Sequence, residues 1–319
     1  MALITALILF CAGLFLIIKG GEFLVNAALD VKRRTGMSHI LIGATFISIA
    51  TALPEVFVSV IAVFNNNHSI AVGNSIGAMI ANTALVLGLY VAFMPSAISR
   101  KQVLAKSLFL IGSLVAVWIF ALNFRISWVE GLILLFGFAW FMWMNTKEAK
   151  KGNDSDEQAI EDEKAVSWKK IILTFIGAQA LLVVGATLLV RYGEQIAHVF
   201  NISEAVIGFT IIAVGTSLPE LVTAIQSIRK KSGGLALGNV IGSNIINATL
   251  LLGVTSMISS GGLPISRATL FVSIPVLFGL TLVAIVPMLV KQRAYKWQGI
   301  TLLLLYLAYI LYLVIVQPL

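Results

Sequence analysis

The chain has 319 residues, of which 59% are hydrophobic and only 11% are charged, whereas soluble domains carry about 25% charged residues. This composition excludes an ordinary soluble globular protein and indicates a membrane protein. The single cysteine, Cys11, excludes an intramolecular disulfide framework and a paired-cysteine metal site.

Hydropathy divides the chain into ten apolar stretches, each near the length of about 20 residues that a membrane-spanning helix needs. Short polar turns separate them, except for one longer hydrophilic segment at 146–169. We therefore predict ten transmembrane helices, at about 3–28, 39–64, 69–94, 103–122, 127–145, 170–192, 203–227, 234–257, 268–290 and 297–316.

The formal net charge of +8 is distributed unevenly between the loops. Eighteen Lys and Arg residues follow odd-numbered stretches, whereas three, Arg125, Arg191 and Arg267, follow even-numbered ones. Because cytoplasmic loops carry the excess of basic residues, we predict that both termini face outward and that segment 146–169 is cytoplasmic. Topology explains the basic charge, and we expect no nucleic-acid partner.

An internal repeat with an offset of 165 residues runs through the sequence. It is carried by GATFISIATALPE and GNSIGAMIAN in the first copy and by GFTIIAVGTSLPE and GNVIGSNIIN in the second, at 43–55, 73–82, 208–220 and 238–247. Glu55 thus matches Glu220, and Asn82 matches Asn247.

The number of stretches in each half decides how the two halves are oriented. Because five is odd, the halves enter the membrane from opposite sides, which is the inverted-topology repeat of many secondary transporters. We predict one five-helix repeat at 1–145 and a second at 170–319, joined by the linker 146–169.

Only two carboxylates, Glu55 and Glu220, lie deep within apolar stretches; seven of the fourteen acids fall in the linker. An ionised group at the bilayer centre costs about 2.5–3.5 kcal/mol on insertion scales. Neither carboxylate has a basic residue in its own motif. The natural partner is therefore a mobile cation or a proton.

The residues around the two acids favour a cation site. Pro54 and Pro219 lack an N–H, which predicts broken helices near the midplane, with freed carbonyls about one turn earlier. Hydroxyl and amide oxygens lie nearby, on Thr51, Thr216, Ser217, Asn82 and Asn247. Hard oxygen ligands of this kind suit Ca²⁺, and ligands typical of soft metals are absent from the motifs.

Glycines recur at i and i+4 in both G-N-x-I-G segments, as Gly73, Gly77, Gly238 and Gly242, which predicts close helix packing. Asn74 and Asn239 in the same segments are either cation ligands or residues that hold a broken helix together. We favour the second interpretation.

These motifs resemble the α-repeats of the calcium/cation antiporter superfamily, most closely those of the prokaryotic sodium/calcium exchangers. The resemblance covers the whole chain and implies an all-α membrane protein of ten helices in two inverted repeats. It implies that Ca²⁺ is bound by the carboxylates of Glu55 and Glu220 and by the carbonyls of Thr51 and Thr216. It implies sodium sites that draw on Ser217, Ser243, Asn82, Asn247 and the carbonyls of Ser48 and Ala213.

Two positions of the first copy depart from the family's pattern. Ala52 and Ala78 stand where the motif has serine, and Asn247 occupies a position that is aspartate in some members. The carboxylate pair is complete, whereas two hydroxyls are missing from positions that resemble sodium sites. Coupling to H⁺, or a changed ion count, therefore stays open beside coupling to Na⁺.

We predict a secondary antiporter in the plasma membrane of a prokaryote, exchanging Ca²⁺ for Na⁺ (or H⁺) by alternating access at one midplane site. Two rivals from other classes are a passive cation channel and an intramembrane enzyme that uses the two acids as a dyad. The motifs contain neither a ring of pore charges nor a feature suited to a peptide or lipid substrate. We expect an ion transporter, no enzyme activity, no cofactor, a monomer, and no partners beyond the ions and the lipid bilayer.

Overall fold

A computed structural model describes residues 2–155, 166–199 and 213–316, and these ranges are almost entirely helical. Within them, nine helices are long and apolar enough to cross a membrane. The remaining predicted span, 203–227, begins outside the described ranges, and its described part forms two shorter helices. The predicted all-α membrane architecture is confirmed.

The first half contains five long helices and one short strand. They are α1 (Ala2–Thr35), α2 (His39–Phe64), α3 (His68–Phe93), α4 (Arg100–Ala121), β1 (Arg125–Ile126) and α5 (Trp128–Ser155). A left-handed residue, Gly36 at φ 68°, follows the end of α1. Ser38 then caps α2, because its hydroxyl accepts a hydrogen bond of 3.2 Å from the amide of Leu41.

Helix α5 is longer than the sequence predicts. It continues to Ser155, past the predicted end at residue 145, so the first residues of the predicted linker are helical. Residues 156–165 of the predicted linker lie outside the described residues. The division into two repeats and a linker stays a prediction.

The second half repeats the plan. Its elements are α6 (Trp168–Val199), α7 (Ala213–Thr216), α8 (Leu218–Arg229), α9 (Gly233–Ile258), β2 (Leu263–Pro264), α10 (Thr269–Lys291) and α11 (Lys296–Val316). Helices α3 and α9, which carry the G-N-x-I-G segments, are central: 78% and 94% of their most apolar stretches are buried, against 22% for α1. The outer helices leave large apolar side chains exposed, as a lipid environment allows.

The two proline motifs differ in backbone structure. In the second copy the helix is interrupted at Ser217, between α7 and α8, as predicted. In the first copy the predicted interruption is not found, because α2 continues through Pro54 and instead contains a π-helical turn at Gly43–Ile47. The carbonyl of Ala50, which Pro54 deprives of its helical donor, accepts a hydrogen bond of 2.9 Å from Gln179 Nε2. A donor on another helix therefore satisfies the backbone, and α2 needs no break.

Two short pairings between loops follow the inverted repeat. Strands β1 and β2 join the loops after α4 and α9, with Ile126 opposite Leu263. A β-bridge between Ala97 and Arg293 joins the loops after α3 and α10. Since α3 matches α9 and α4 matches α10 under the 165-residue offset, the same pairing occurs once in each orientation.

Glycines bring α2 and α9 into backbone contact. A Cβ atom on Gly238 would lie 2.2 Å from the carbonyl oxygen of Ile40, and one on Gly43 would lie 2.4 Å from that of Leu235. One on Gly242 would lie 2.6 Å from Ser48 Oγ. No side chain fits at these positions, so the close packing predicted for Gly238 and Gly242 is confirmed.

We expect Gly238→Ala to lower the free energy of unfolding by about 1–3 kcal/mol, because the new methyl group forces α2 and α9 apart. The matched control is Gly112→Ala on α4, where a Cβ atom has nothing within 4 Å. That change should be neutral or stabilise the helix by up to about 1 kcal/mol. Thermal unfolding of the two purified variants checks the difference, and equal melting temperatures would contradict the packing.

Candidate cation site

The two motif carboxylates lie where both halves of the chain meet. Glu55 follows Pro54 within α2, and Glu220 follows Pro219 in the first turn of α8. Both side chains are completely buried, and the threonine four residues before each of them hydrogen-bonds to the opposite half. The structure thus brings together, in the protein interior, the two acids that the repeat places 165 residues apart.

Hydrogen bonds between the halves surround the carboxylates. Thr51 Oγ1 of the first half donates to Asn239 Oδ1 of the second at 3.1 Å, and Thr216 Oγ1 of the second donates to Asn74 Oδ1 of the first at 2.9 Å. Ser243 Oγ also donates to Asn239 Oδ1, at 3.3 Å. Each predicted threonine is therefore fixed by the asparagine of the opposite repeat.

The amide groups of the same asparagines bind back to their own halves. Asn74 Nδ2 donates to Ser59 Oγ at 2.9 Å and to the carbonyl of Glu55 at 3.1 Å. Asn239 Nδ2 donates to Thr223 Oγ1 at 3.0 Å, and Thr223 Oγ1 donates to the carbonyl of Glu220 at 2.9 Å. Both ends of each amide are engaged, so Asn74 and Asn239 hold the helices together, as we favoured.

A second group of buried polar atoms has no hydrogen-bond partner within the described part of the chain. Among the residues that the sequence predicts as cation ligands, it comprises both carboxylate oxygens of Glu55 and of Glu220, both amide atoms of Asn82 and of Asn247, and the hydroxyl of Ser217. Leaving a buried polar atom unpaired costs about 1–3 kcal/mol, and more for a charged group. Unpaired oxygens gathered around two acids are what a cation would satisfy.

The backbone positions Asn82 and Asn247 in the same way. Each asparagine is the first residue of a π-helical turn, at Asn82–Val86 in α3 and Asn247–Leu251 in α9. Such turns are rare and are frequent at functional sites, because they change which side chains face inward. The equivalent backbone in both halves supports an equivalent role for the two amides.

The oxygens present fit a hard cation. Among the described residues no group of three or more His, Cys, Asp or Glu side chains could hold a metal. The site therefore consists of two carboxylates with neutral hydroxyl, amide and carbonyl oxygens, a donor set that suits Ca²⁺. One divalent ion, or two monovalent ions, would balance the formal charge of the carboxylate pair.

The remaining predicted residues are placed as follows. Ser48 is buried in α2, and its hydroxyl donates to the carbonyl of Thr45 at 3.2 Å. Ala213 is the first residue of α7. Ala52 and Ala78 are fully buried, so the first copy places methyl groups at the positions where the second has Ser217 and Ser243.

Sequence reasoning missed Ser59, Thr223 and Gln179. Ser59 accepts a hydrogen bond from the amide of Asn74, and Thr223 accepts one from the amide of Asn239. The two residues do not match under the 165-residue offset, so the repeat gives no signal for them. Gln179 has Leu14 as its counterpart. A search for polar residues inside apolar stretches would have found Gln179.

The sequence profile of a family described as "Sodium/calcium exchanger protein" matches residues 5–147 and 170–315. The chain belongs to this family. The matched residues thus cover both predicted repeats and omit most of the predicted linker.

Relatives and solved structures agree with this assignment. The chain is 33% identical over 308 residues to an uncharacterised membrane protein of Methanocaldococcus jannaschii, covering 93% of this chain and 94% of that one. It is 28% identical over 341 residues to the sodium/calcium exchanger MaX1 of Methanosarcina acetivorans, covering 94% and 96% of the two chains. A structure of the sodium-calcium exchanger NCX_Mj soaked with Na⁺ and Sr²⁺ matches with a TM-score of 0.81 and 32% identity, over 97% of this chain and 98% of that one. Membership of the family supports Ca²⁺/cation antiport as the general activity.

The hydrogen bonds by which Asn74 and Asn239 join the two halves lead to a prediction about stability. Asn239→Ala should lower the free energy of unfolding by about 2 kcal/mol, because the buried hydroxyls of Thr51 and Thr223 each lose a partner. Asn145→Ala is the matched control, since the Asn145 amide bonds only to Phe141 of its own helix among the described residues and should cost less than about 1 kcal/mol. Thermal unfolding in detergent measures both, and an equal loss in the two variants would refute a bridging role for Asn239.

Proposed function

We propose that the chain is a secondary antiporter that exchanges Ca²⁺ for Na⁺ by alternating access at one site built on Glu55 and Glu220. The observation that carries the proposal is the burial of both carboxylates with no hydrogen-bond partner for any of their four oxygens among the described residues. In an apolar interior two unpaired negative charges are unstable together. A bound cation supplies the missing attraction.

The proposed Ca²⁺ ligands are the Glu55 and Glu220 carboxylates with the carbonyls of Thr51 and Thr216. The Thr51 hydroxyl of the first half lies within hydrogen-bond distance of Asn239 and Ser243 of the second, which supports a site shared between the two halves. Ser217 is a proposed Na⁺ ligand, which is supported by the burial of its hydroxyl without a hydrogen-bond partner among the described residues. Asn82 and Asn247 would supply further amide oxygens, and Ser48 and Ala213 further carbonyls.

Exchange follows from competition for these oxygens. The empty, ionised pair is too costly to enclose, so the protein changes its open side only when Ca²⁺ or monovalent ions neutralise the two charges. Since Ca²⁺ and Na⁺ would use the same carboxylates, binding of one ion releases the other. An inward Na⁺ gradient would then drive Ca²⁺ out of the cell.

A second candidate is H⁺-coupled exchange on the same scaffold. Ala52 and Ala78 favour it, because two hydroxyls that would help to bind Na⁺ are replaced by buried methyl groups. Protons need only the carboxylates. The family match leaves the choice of coupling ion open to experiment.

We also propose that the chain is a monomer in the plasma membrane with both termini outside and residues 146–169 in the cytoplasm. The excess of basic residues in the loops after odd-numbered spans supports this orientation. A cysteine placed at residue 159 in a Cys11→Ser background should react with a membrane-impermeant maleimide only after whole cells are opened. Reaction in intact cells would reverse the orientation.

Flux of ⁴⁵Ca²⁺ into proteoliposomes, with Na⁺, K⁺ and pH gradients varied one at a time, identifies the coupling ion. We expect an outward-directed Na⁺ gradient to drive Ca²⁺ uptake and a pH gradient alone to have little effect. Uptake that follows the pH gradient and ignores Na⁺ would replace the sodium version with the proton version. Ca²⁺ entry that needs no counter-ion would contradict both and indicate a channel.

Substitution of either acid tests the site itself. Glu55→Gln and Glu220→Gln should each reduce exchange at least about 100-fold, because the remaining single charge does not balance a divalent ion. Glu130→Gln is the control, since Glu130 accepts hydrogen bonds from Ser127 at the start of α5 and should leave exchange within about twofold of the unmodified protein. Near-normal flux in either motif variant would refute the site.

A further inference from the structure

Helices α1 and α6 form a close-packed pair with one helix from each half. They share a hydrophobic cluster that is separate from the main core. Matching glycines lie at their contact: a Cβ atom on Gly20 would lie 2.9 Å from Leu182 Cγ, and one on Gly185 would lie 2.8 Å from the carbonyl of Gly13. The pair reaches the cation-site helix α2 through contacts that include Ile47 and Ala50.

One polar side chain of this pair reaches the edge of the cation site. Gln179 on α6 donates from Nε2 to the carbonyl oxygen of Ala50 at 2.9 Å. Ala50 directly precedes Thr51, whose hydroxyl bonds to Asn239 and whose carbonyl is a proposed Ca²⁺ ligand. Ala50 and Thr51 are both fully buried.

The Ala50 carbonyl needs this external donor. In a regular helix it would accept from the amide four residues later, but that residue is Pro54, which has no N–H. Inside a membrane there is no bulk water to replace the lost donor. The conformation of α2 at the cation site therefore depends on a side chain of α6.

The second half has no equivalent of this bond. The counterpart of Gln179 under the 165-residue offset is Leu14 on α1, which has no hydrogen-bonding group. The carbonyl that Pro219 frees, that of Gly215, consequently receives no matching donor from that position. The polar connection between the helix pair and the site is asymmetric.

We propose that Gln179 is a positioning residue for the cation site: it holds the Ala50–Thr51 peptide in its binding orientation and ties it to the α1/α6 pair. The proposal rests on the proposed function only for the role of the Thr51 carbonyl as a ligand. Loss of this bond would disturb the Thr51 ligand and leave the Thr216 ligand unaffected. Gln179 thereby links the position of an outer helix to the affinity of one side of the site.

The chain contains a matched control for this bond. Gln298 on α11 donates from Nε2 to the carbonyl of Val283 at 3.3 Å and to that of Ala284 at 3.2 Å. Val283 lies four residues before Pro287, so Gln298 also serves a carbonyl that a proline has freed. This second glutamine has the same chemistry, and its bonds join α10 and α11, outside the motifs that carry the carboxylates.

The test is equilibrium binding of Ca²⁺ to purified Gln179→Met and Gln298→Met, both nearly equal in size to glutamine and unable to donate. We expect Gln179→Met to raise the dissociation constant for Ca²⁺ roughly fivefold, the effect of one net hydrogen bond. Gln298→Met should change it less than about twofold. If both variants lower the melting temperature and neither alters Ca²⁺ affinity, Gln179 is a structural contact and the proposal is wrong.

A double-mutant cycle with Pro54→Ala tests the cause. Alanine at position 54 restores the N–H that Ala50 needs, so in that background Gln179→Met should no longer weaken Ca²⁺ binding. A persistent fivefold loss in the double variant would overturn the proposal. The binding measurements do not depend on transport, so they test Gln179 even if flux experiments reject antiport.

Discussion

Two carboxylates in the membrane interior impose the constraint on which the rest of this structure depends. Glu55 and Glu220 are buried, and their carboxylate oxygens have no hydrogen-bond partner among the described residues. Glycine-mediated contact between α2 and α9 brings the halves close enough for this meeting. Asn74 and Asn239 then join the two halves through hydrogen bonds to Thr216 and Thr51, but neither asparagine bonds to the carboxylates themselves. In the mechanism that we propose, a mobile cation would neutralise the two acids, and this requirement would make exchange obligatory.

The scaffold is symmetric, but its chemistry is not. The π-helical turns at Asn82 and Asn247 occur once in each half, and the Thr–Asn hydrogen bonds and the loop pairings each join the halves twice, once in each orientation. Against this background the halves differ at the two serine positions, in the interruption at Ser217, and in the donor that Gln179 provides to α2 alone. The proposed divalent site would draw on the symmetric features, whereas the proposed monovalent coupling would draw on the asymmetric ones.

Much of the fold and the central pair of the site could be predicted from the sequence, because membrane spans need long apolar stretches and a buried acid stands out within them. The 165-residue offset gave the inverted repeat and the pairing of Glu55 with Glu220. The continuity of α2 could not be predicted, since the donor that replaces the Pro54 amide is 129 residues away in the sequence. Ser59 and Thr223 could not be predicted for a related reason. They accept hydrogen bonds from Asn74 and Asn239 at positions that the repeat does not match. Only the rotation of the packed helices decides which hydroxyl each asparagine can reach.

The central claim is that the two buried acids form one shared cation site. Equilibrium dialysis with ⁴⁵Ca²⁺ on the purified chain tests it most directly, since it counts bound ions without relying on transport. The account predicts a single Ca²⁺ per chain, displaced by the coupling ion and lost when Glu55 and Glu220 are both replaced by Gln. Two independent Ca²⁺ ions per chain, or binding that survives the double replacement, would contradict a shared site.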